Sequence, residues 1–248
     1  MNSIEPGEFQ RLRAGFGYPD VAPMFGIDWL NAPNDYAPIE YVSDSVKSTI
    51  PDWDHPDLDA MWDRAQALST ARGILTRDAV SRRPLNPRGP TGVSGLGRMR
   101  SYGPNFSADG IVMHQDEVLL IERGDTGQLA FPGGYREFDQ DTGEYEDPIS
   151  AAHREISEET GLILEGLASI ITSGLPRYVT RNTDNAWIED SVVLINISDM
   201  PKDELTPVAA DDAKKGSARW VPLGQVNIST MSPRHGEHVE RLKERKIK

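Results

Sequence analysis

The chain contains no cysteine. That excludes disulfide staples, thiolate nucleophiles and Cys-ligated zinc, and a reducing, cytoplasmic setting is the expectation. No apolar run approaches the roughly eighteen residues that a membrane-spanning helix needs. The first ten residues, MNSIEPGEFQ, lack a basic patch followed by an apolar stretch, so no secretory leader is expected. Positive charge is scarce. Against 39 Asp and Glu there are 26 Lys and Arg, a formal net charge of −13. Nucleic acid and anionic membranes are bound by neutralising phosphates with Lys and Arg, so neither is an expected partner. A small phosphorylated substrate stays compatible with this charge, provided a metal ion and a few local arginines reverse the field at the site.

What the chain does have is enough length for one large or two small domains, with 248 residues of which 38% are hydrophobic. The first hundred residues are rich in Pro, Asp and Trp and weakly periodic. A helix is predicted over 57–72, with Leu58, Met61, Trp62, Ala65 and Leu68 on one stripe. A short strand is predicted within 39–46. Residues 82–98, RRPLNPRGPTGVSGLGR, hold three prolines and four glycines, which on composition alone read as a flexible linker. Beyond them the pattern sharpens. Apolar runs at 111–113 and 118–121 flank Gln115 and Asp116, the signature of a hairpin. LAFPGGY reads as a strand end running into a glycine turn, SVVLINIS and ARWVPL as strands, and PRHGEHVERLKERK as a closing helix. Strands and helices interleave, which predicts an α/β or α+β domain over about 104–248 behind a smaller N-terminal domain over 1–103.

One segment of that domain raises a chemical question. In AAHREISEETGL, residues 151–162, three glutamates crowd one helix. Asp147 is a fitting N-cap with Pro148 at the first helical position, and Gly161 is a fitting stop. Ile149, Ala152 and Ile156 form one apolar stripe. Glu155, Glu158 and Glu159 fall on an adjacent arc, and Arg154 stands four residues before Glu158. Like charges at this spacing weaken a helix. Either the arc is simply solvated, or the carboxylates seat a cation. Hard divalent ions, Mg²⁺ above all, take a few carboxylates, several waters and substrate phosphate oxygens.

The flanking residues bear on that choice. Gly134, Glu146, Arg154, Glu155, Ile156, Glu158, Glu159, Gly161 and Leu162 resemble the defined positions of the Nudix hydrolase box. The box has the form Gly, five residues, Glu, seven residues, then Arg-Glu-apolar-x-Glu-Glu-x-Gly-apolar. One departure is plain. Eleven residues separate Gly134 from Glu146, and the excess lies in REFDQDTGEY, read as a lengthened polar loop. It leaves open whether Glu146, Glu137 or Glu144 takes the upstream glutamate's part, although the seven-residue spacing to Arg154 favours Glu146. Elsewhere, RNTDNAW at 181–187, RPLNPRGPTGVSGLGR, YGPNFSAD and DYAPIEY resemble the mitochondrial-type ADP-ribose pyrophosphatases. They also resemble the Nudix-homology domain of ADP-ribose-gated cation channels.

The resemblance implies a Nudix α/β/α sandwich with a mixed β-sheet, and it makes residues 82–98 an ordered joint. It implies a Mg²⁺-dependent hydrolase, with Mn²⁺ as the alternative ion, that cuts ADP-ribose to AMP and ribose 5-phosphate. Glu155 and Glu159 are the main implied metal ligands, with Glu158 a further ligand or the base and the Gly134 carbonyl an added oxygen. Arg154 is implied as a positioning residue, with Glu146 upstream. Asp211 and Asp212 match an acidic pair of the resembled family, Asp212 being a second candidate base; the alternative is a solvated loop. Arg181, His235 and Asp211 are candidate substrate contacts, against a surface arginine, a polar helix residue and a solvated loop. Val179 stands where that family has an acidic residue. Trp187 reads as core before adenine platform, and His114 and His153 as structural or exposed. Competing readings are a pyrophosphatase for another nucleoside diphosphate conjugate, such as NADH or a nucleotide sugar, and an ADP-ribose-binding module with little turnover.

Overall fold

In the computed structural model, which describes residues 5–246 apart from 23, 25, 51–52, 165–166, 175–178, 211–212 and 215–216, helix-capping side chains set the N-terminal elements. Helix α1 is Pro6–Gly15. The segment expected as one strand over 39–46 divides into strand β1, Ile39–Val42, and helix α2, Asp44–Thr49. The divider is Ser43, whose hydroxyl accepts from the Val46 N–H at 3.3 Å and so satisfies an orphan donor of the first turn. Helix α3 spans Leu58–Leu68, capped by Asp57 through the Ala60 N–H at 2.9 Å. It stops four residues short of the expected end. Its Leu58 and Met61 pack with Val42, Val46, Leu96 and Tyr102 and its Ala65 is fully buried, so the first part of the stripe read from periodicity docks, whereas Leu68 at its end is exposed.

Residues 82–98 are ordered, which corrects the linker reading made from composition. Strands β2, Thr76–Arg77, and β3, Pro84–Leu85, pair antiparallel, and β4, Val93–Gly97, runs parallel to β1. Gly95 shows why glycine is needed here. It has φ +86°, and a Cβ would lie 2.7 Å from the Tyr41 carbonyl oxygen. Side chains from 183–185 close the segment: Thr183 Oγ1 donates to the Gly95 carbonyl at 2.6 Å, and Asn185 Oδ1 accepts from the Gly95 N–H at 3.0 Å. Residues 1–105 and 174–189 make one compact unit, and 106–173 with 190–248 make the other. The stretch 174–189 thus belongs with the N-terminal region.

The second unit carries the sheet. Its elements in order, of which β5, β11 and β12 extend into the first unit, are β5 (Gly103–His114), β6 (Glu117–Glu122), β7 (Leu129–Ala130), β8 (Gly133–Tyr135), β9 (Phe138–Asp139) and β10 (Glu144–Tyr145). Then come α4 (Pro148–Thr160), β11 (Leu167–Gly174), β12 (Ala186–Asn196), β13 (Arg219–Pro222) and α5 (Pro233–Lys246). The strand order is β11-β12-β5-β6-β13, with β7 on β6 and β8 on β5. The expected hairpin forms with Met113 opposite Val118, and Gln115 takes φ 56° at its turn. Alternate residues of the long strands point to opposite faces. Ala108, Val112, Val193 and Ile195 join Ala151, Ala152 and Ile156 of α4 in one core. Ile111, Met113 and Val192 join Val239 of α5 in another. Helix on sheet on helix is the sandwich the α/β expectation called for. The stretch read as a lengthened loop is a small hairpin, β9 against β10, with the Phe138 and Tyr145 rings 4.9 Å apart.

Candidate active site

Helix α4 forms where its end signals predicted. Asp147 Oδ1 accepts from the Ile149 and Ser150 N–H groups at 2.8 and 3.3 Å, and Gly161 ends the helix at φ 69°. Ala152 and Ile156 are fully buried against the sheet, and Gly110 of β5 makes room, since a Cβ there would lie 2.6 Å from Ile156 Cδ1. Docking that stripe turns Glu155 and Glu159 inward, leaving them 9% and 3% exposed. Glu158 stays on the solvent side. The solvated-face reading therefore fails for two of the three glutamates.

Arg154 ties the carboxylates together. Its guanidinium donates to Glu146 at 2.9–3.2 Å, to Glu155 Oε1 at 2.8 Å, to Glu158 Oε2 at 2.8 Å and to the Tyr135 carbonyl at 3.0 Å. These bonds, those to Glu146 first, raise the Arg154 pKa and keep it cationic. The acid that reaches it from upstream is Glu146, not Glu137 or Glu144. The hairpin β9–β10 returns the chain to that point, with the Glu146 N–H donating to the Glu137 carbonyl at 2.8 Å and Arg136 Nε to the Glu146 carbonyl at 2.5 Å.

Strand β8 lies against the inward glutamates. The Gly133 N–H donates to Glu159 Oε2 at 2.9 Å, and a Cβ on Gly134 would stand 2.5 Å from Glu155 Oε1. Burial, with the Glu155 charge adding to it, pushes the Glu159 carboxyl up to about 8. Glu155 has Arg154 at 2.8 Å, whereas Glu159 has the Gly133 N–H and only the more distant field of Arg123 against its burial, so the pair leaves room for added positive charge. Among the described residues, no group of three or more His, Asp or Glu side chains is placed to hold a metal ion. The set fits an ion that takes one or two protein carboxylates and completes its shell with water and substrate oxygens, the habit of Mg²⁺.

A second polar cluster in the same unit was not anticipated from the sequence. Asp109 of β5 forms an ion pair with Arg234 at 2.6 Å and accepts from His235 Nε2 at 2.9 Å. Ser107 donates to Asp190 Oδ1 at 2.7 Å, and Arg234 stands 3.7 Å from Asp190. The Phe131 N–H donates to His235 Nδ1 at 2.9 Å, so the proton of this imidazole sits on Nε2. Burial lowers the His235 pKa, in keeping with a neutral ring. Asp109 is held well below the usual carboxylate range by Arg234 and His235 against the opposing effect of burial, whereas burial raises Asp190 to about 8. Gly133 joins the two clusters, because a Cβ on it would lie 2.4 Å from Asp109 Oδ1. The available signal was a carboxylate set among apolar residues in each of two strands, SADGIVM and WIEDSVV.

The remaining expected residues divide. His235, expected as a substrate contact, is 3% exposed with both ring nitrogens engaged, Nδ1 by the Phe131 N–H and Nε2 by Asp109. Trp187 is fully buried and donates to Glu189, so it is core. His114 is buried beside the Met200 carbonyl, and His153 is half-buried. Arg181 belongs to the first unit, its guanidinium 5.8 Å from the centre of the Phe16 ring. Asp211 and Asp212 lie outside the described residues.

A family model for the NUDIX domain matches residues 104–242, over half of the chain and all of α4. The protein belongs to the Nudix hydrolase family. A second model, the NUDT9-like N-terminal domain, matches residues 23–103. Among curated relatives, nudix hydrolase 6 of Caenorhabditis elegans is 29% identical over 239 residues, 88% of this chain and 87% of that protein. The mitochondrial ADP-ribose pyrophosphatase of Rattus norvegicus is 30% identical over 243 residues, 81% of this chain and 67% of that one. The transient receptor potential cation channel subfamily M member-like 2 of Nematostella vectensis is 28% identical over 87% of this chain, which spans only 16% of the channel. Among the described residues of this Nudix hydrolase, no helix is long and apolar enough to cross a membrane.

Proposed function

We propose that this Nudix hydrolase cleaves the pyrophosphate of ADP-ribose, giving AMP and ribose 5-phosphate, with Mg²⁺ as its ion. The observation that carries the reading is the single guanidinium of Arg154, which holds Glu146, Glu155 and Glu158 beside the buried Glu159. Similarity to the rat enzyme over two thirds of its length supports the choice of ADP-ribose. Glu155, Glu159 and the Gly134 carbonyl would hold the ion. When bound, it supplies charge neutralisation at the diphosphate oxygens and a water of lowered pKa. Glu158, on the solvent side of α4, is either a further ligand or the base, and Asp212 is the other candidate for the base. Arg154 orients the carboxylates, a task for which a fork of donors suits better than an ammonium. Arg181 is the proposed phosphate or ribose contact. Residues 1–103 and 104–248 are proposed as the two domains, and the lack of cysteine supports a cytoplasmic setting.

The test is turnover of ADP-ribose, NADH and a nucleotide sugar by the full chain, with Mg²⁺, with Mn²⁺ and with chelator. AMP release from ADP-ribose that disappears on chelation, and at least about tenfold lower kcat/KM on the others, is the expected result. Tight ADP-ribose binding without AMP release would replace the hydrolase with a sensor.

A further inference from the structure

The connection that carries the chain from β7 into β8 reads FPGG over 131–134, and its Pro132 has no N–H to give. The donors on either side of that proline both leave the sheet. The Gly133 N–H goes to Glu159 Oε2 of α4 at 2.9 Å, the one hydrogen bond that Glu159 accepts among the described residues. The Phe131 N–H goes to His235 Nδ1 of α5 at 2.9 Å. Between them, the Pro132 carbonyl accepts from the Gly110 N–H of β5 at 2.8 Å. Three successive residues are thus fastened to three different elements of the second unit. The fastening to α5 is the one made by a side chain outside the Nudix box.

His235 is set up to make that bond. Its ring is 3% exposed and stacks on Phe131 with centres 5.2 Å apart. Nε2 donates to Asp109 at 2.9 Å, which leaves Nδ1 as an acceptor. Asp109 in turn lies opposite Gly133 in the pairing of β5 with β8. Any displacement of this connection would carry the Gly133 N–H away from Glu159 and move the Gly134 carbonyl with it. Partners that orient ligands from behind matter nearly as much to ion affinity as the ligands do. We propose that His235 is a positioning residue of the metal site: its Nδ1 fixes the 131–134 connection, which fixes the Glu159 carboxylate and the Gly134 carbonyl. The inference rests on the reading that those two groups hold the ion.

Two substitutions divide the work of the ring. His235→Asn keeps an acceptor oxygen where Nδ1 stands and loses the donor to Asp109, whereas His235→Gln keeps a donor near Nε2 and has no acceptor for Phe131. The measurement is Mn²⁺ binding to the full chain without substrate, read from the paramagnetic resonance of the unbound ion. Glu159→Gln marks the site, and thermal melts report folding. The expected result is binding close to the native level for His235→Asn and weaker by roughly tenfold or more for His235→Gln. Equal affinities in the two variants, or the greater loss with Asn, would overturn the proposal. Should either variant fail to fold, amide hydrogen exchange in the native chain decides. A connection that moves as one piece requires Phe131 to gain protection with Mg²⁺ in step with Gly133, and a gain at Gly133 alone would overturn the proposal. A native chain that binds Mn²⁺ no better than Glu159→Gln would instead overturn the metal reading itself, and the proposal with it.

Discussion

Gly134 does not have the positive φ that usually demands glycine; what demands it is Glu155. A methyl group there would press on the Glu155 carboxyl at 2.5–2.7 Å. That carboxyl ends a flexible side chain, so it would swing away and the fold would survive. Gly134→Ala should therefore raise the metal concentration for half-maximal hydrolysis by about tenfold with little change in Tm. Gly133→Ala should behave differently, because its methyl meets the Ala108 backbone oxygen at 2.6 Å as well as Asp109. Backbone must shift, at a cost of roughly 1–3 kcal/mol in stability. A metal titration of activity, paired with a thermal melt of each variant, separates the two. Equal loss of stability in both would show that Gly134 serves packing and not the carboxylate. The sequence motif named the glycine; only the structure says which atom it makes way for.

Helix α5 carries a pH dependence of its own. His238 is 9% exposed, and burial first, then repulsion from the cationic Arg241 and Arg234, brings its pKa from 6.5 to about 4 against the opposing pull of Asp109. The unfolded chain protonates this ring near pH 6.5 while the folded chain resists until about 4. Its contribution to stability is thus whole above 6.5 and drains away as pH falls through that window, with a ceiling of about 3 kcal/mol. Denaturant unfolding at pH 7.5 and at pH 5 should show a smaller acid loss for His238→Gln than for the native chain. An identical loss would place the titration elsewhere. Elements also show what the sequence made legible. Helix α4 was readable to the residue because Asp147, Pro148 and Gly161 are local signals that act within one turn. The hairpin β5–β6 was readable from alternation. Strand β1 was legible as a short strand within 39–46, but β4 and its pairing with β1 were not, since that pairing joins residues about fifty positions apart and residues 82–98 show a glycine and proline content that mimics a linker. The Asp109–His235 cluster was hidden for the same reason: its members come from β5, β12 and α5, and no spacing along the chain relates them.

At the scale of the whole molecule, the composition of the first unit has an experimental consequence. Residues 182–186 supply it with partners that residues 1–105 cannot replace. The Asn86 N–H donates to the Asp184 carbonyl at 2.8 Å, the Asp184 N–H to the Val93 carbonyl at 2.7 Å, and the Gly103 N–H to the Asn185 carbonyl at 2.8 Å. Without them those buried groups are orphaned, each at about 1–3 kcal/mol, against a total stability of about 5–15 kcal/mol for a typical domain. Residues 1–105 expressed alone should show no cooperative melt by circular dichroism, whereas the full chain should. A sharp transition in the short piece would mean that 174–189 is dispensable. The same return of the chain fixes a timetable at the ribosome. By the time residue 189 has been added, α4 with all its glutamates has already been made. The N-terminal unit is therefore obliged to wait half-built while α4 is laid down, and a nascent chain stalled between 105 and 174 would present the cell's quality control with a unit whose closing segment does not yet exist.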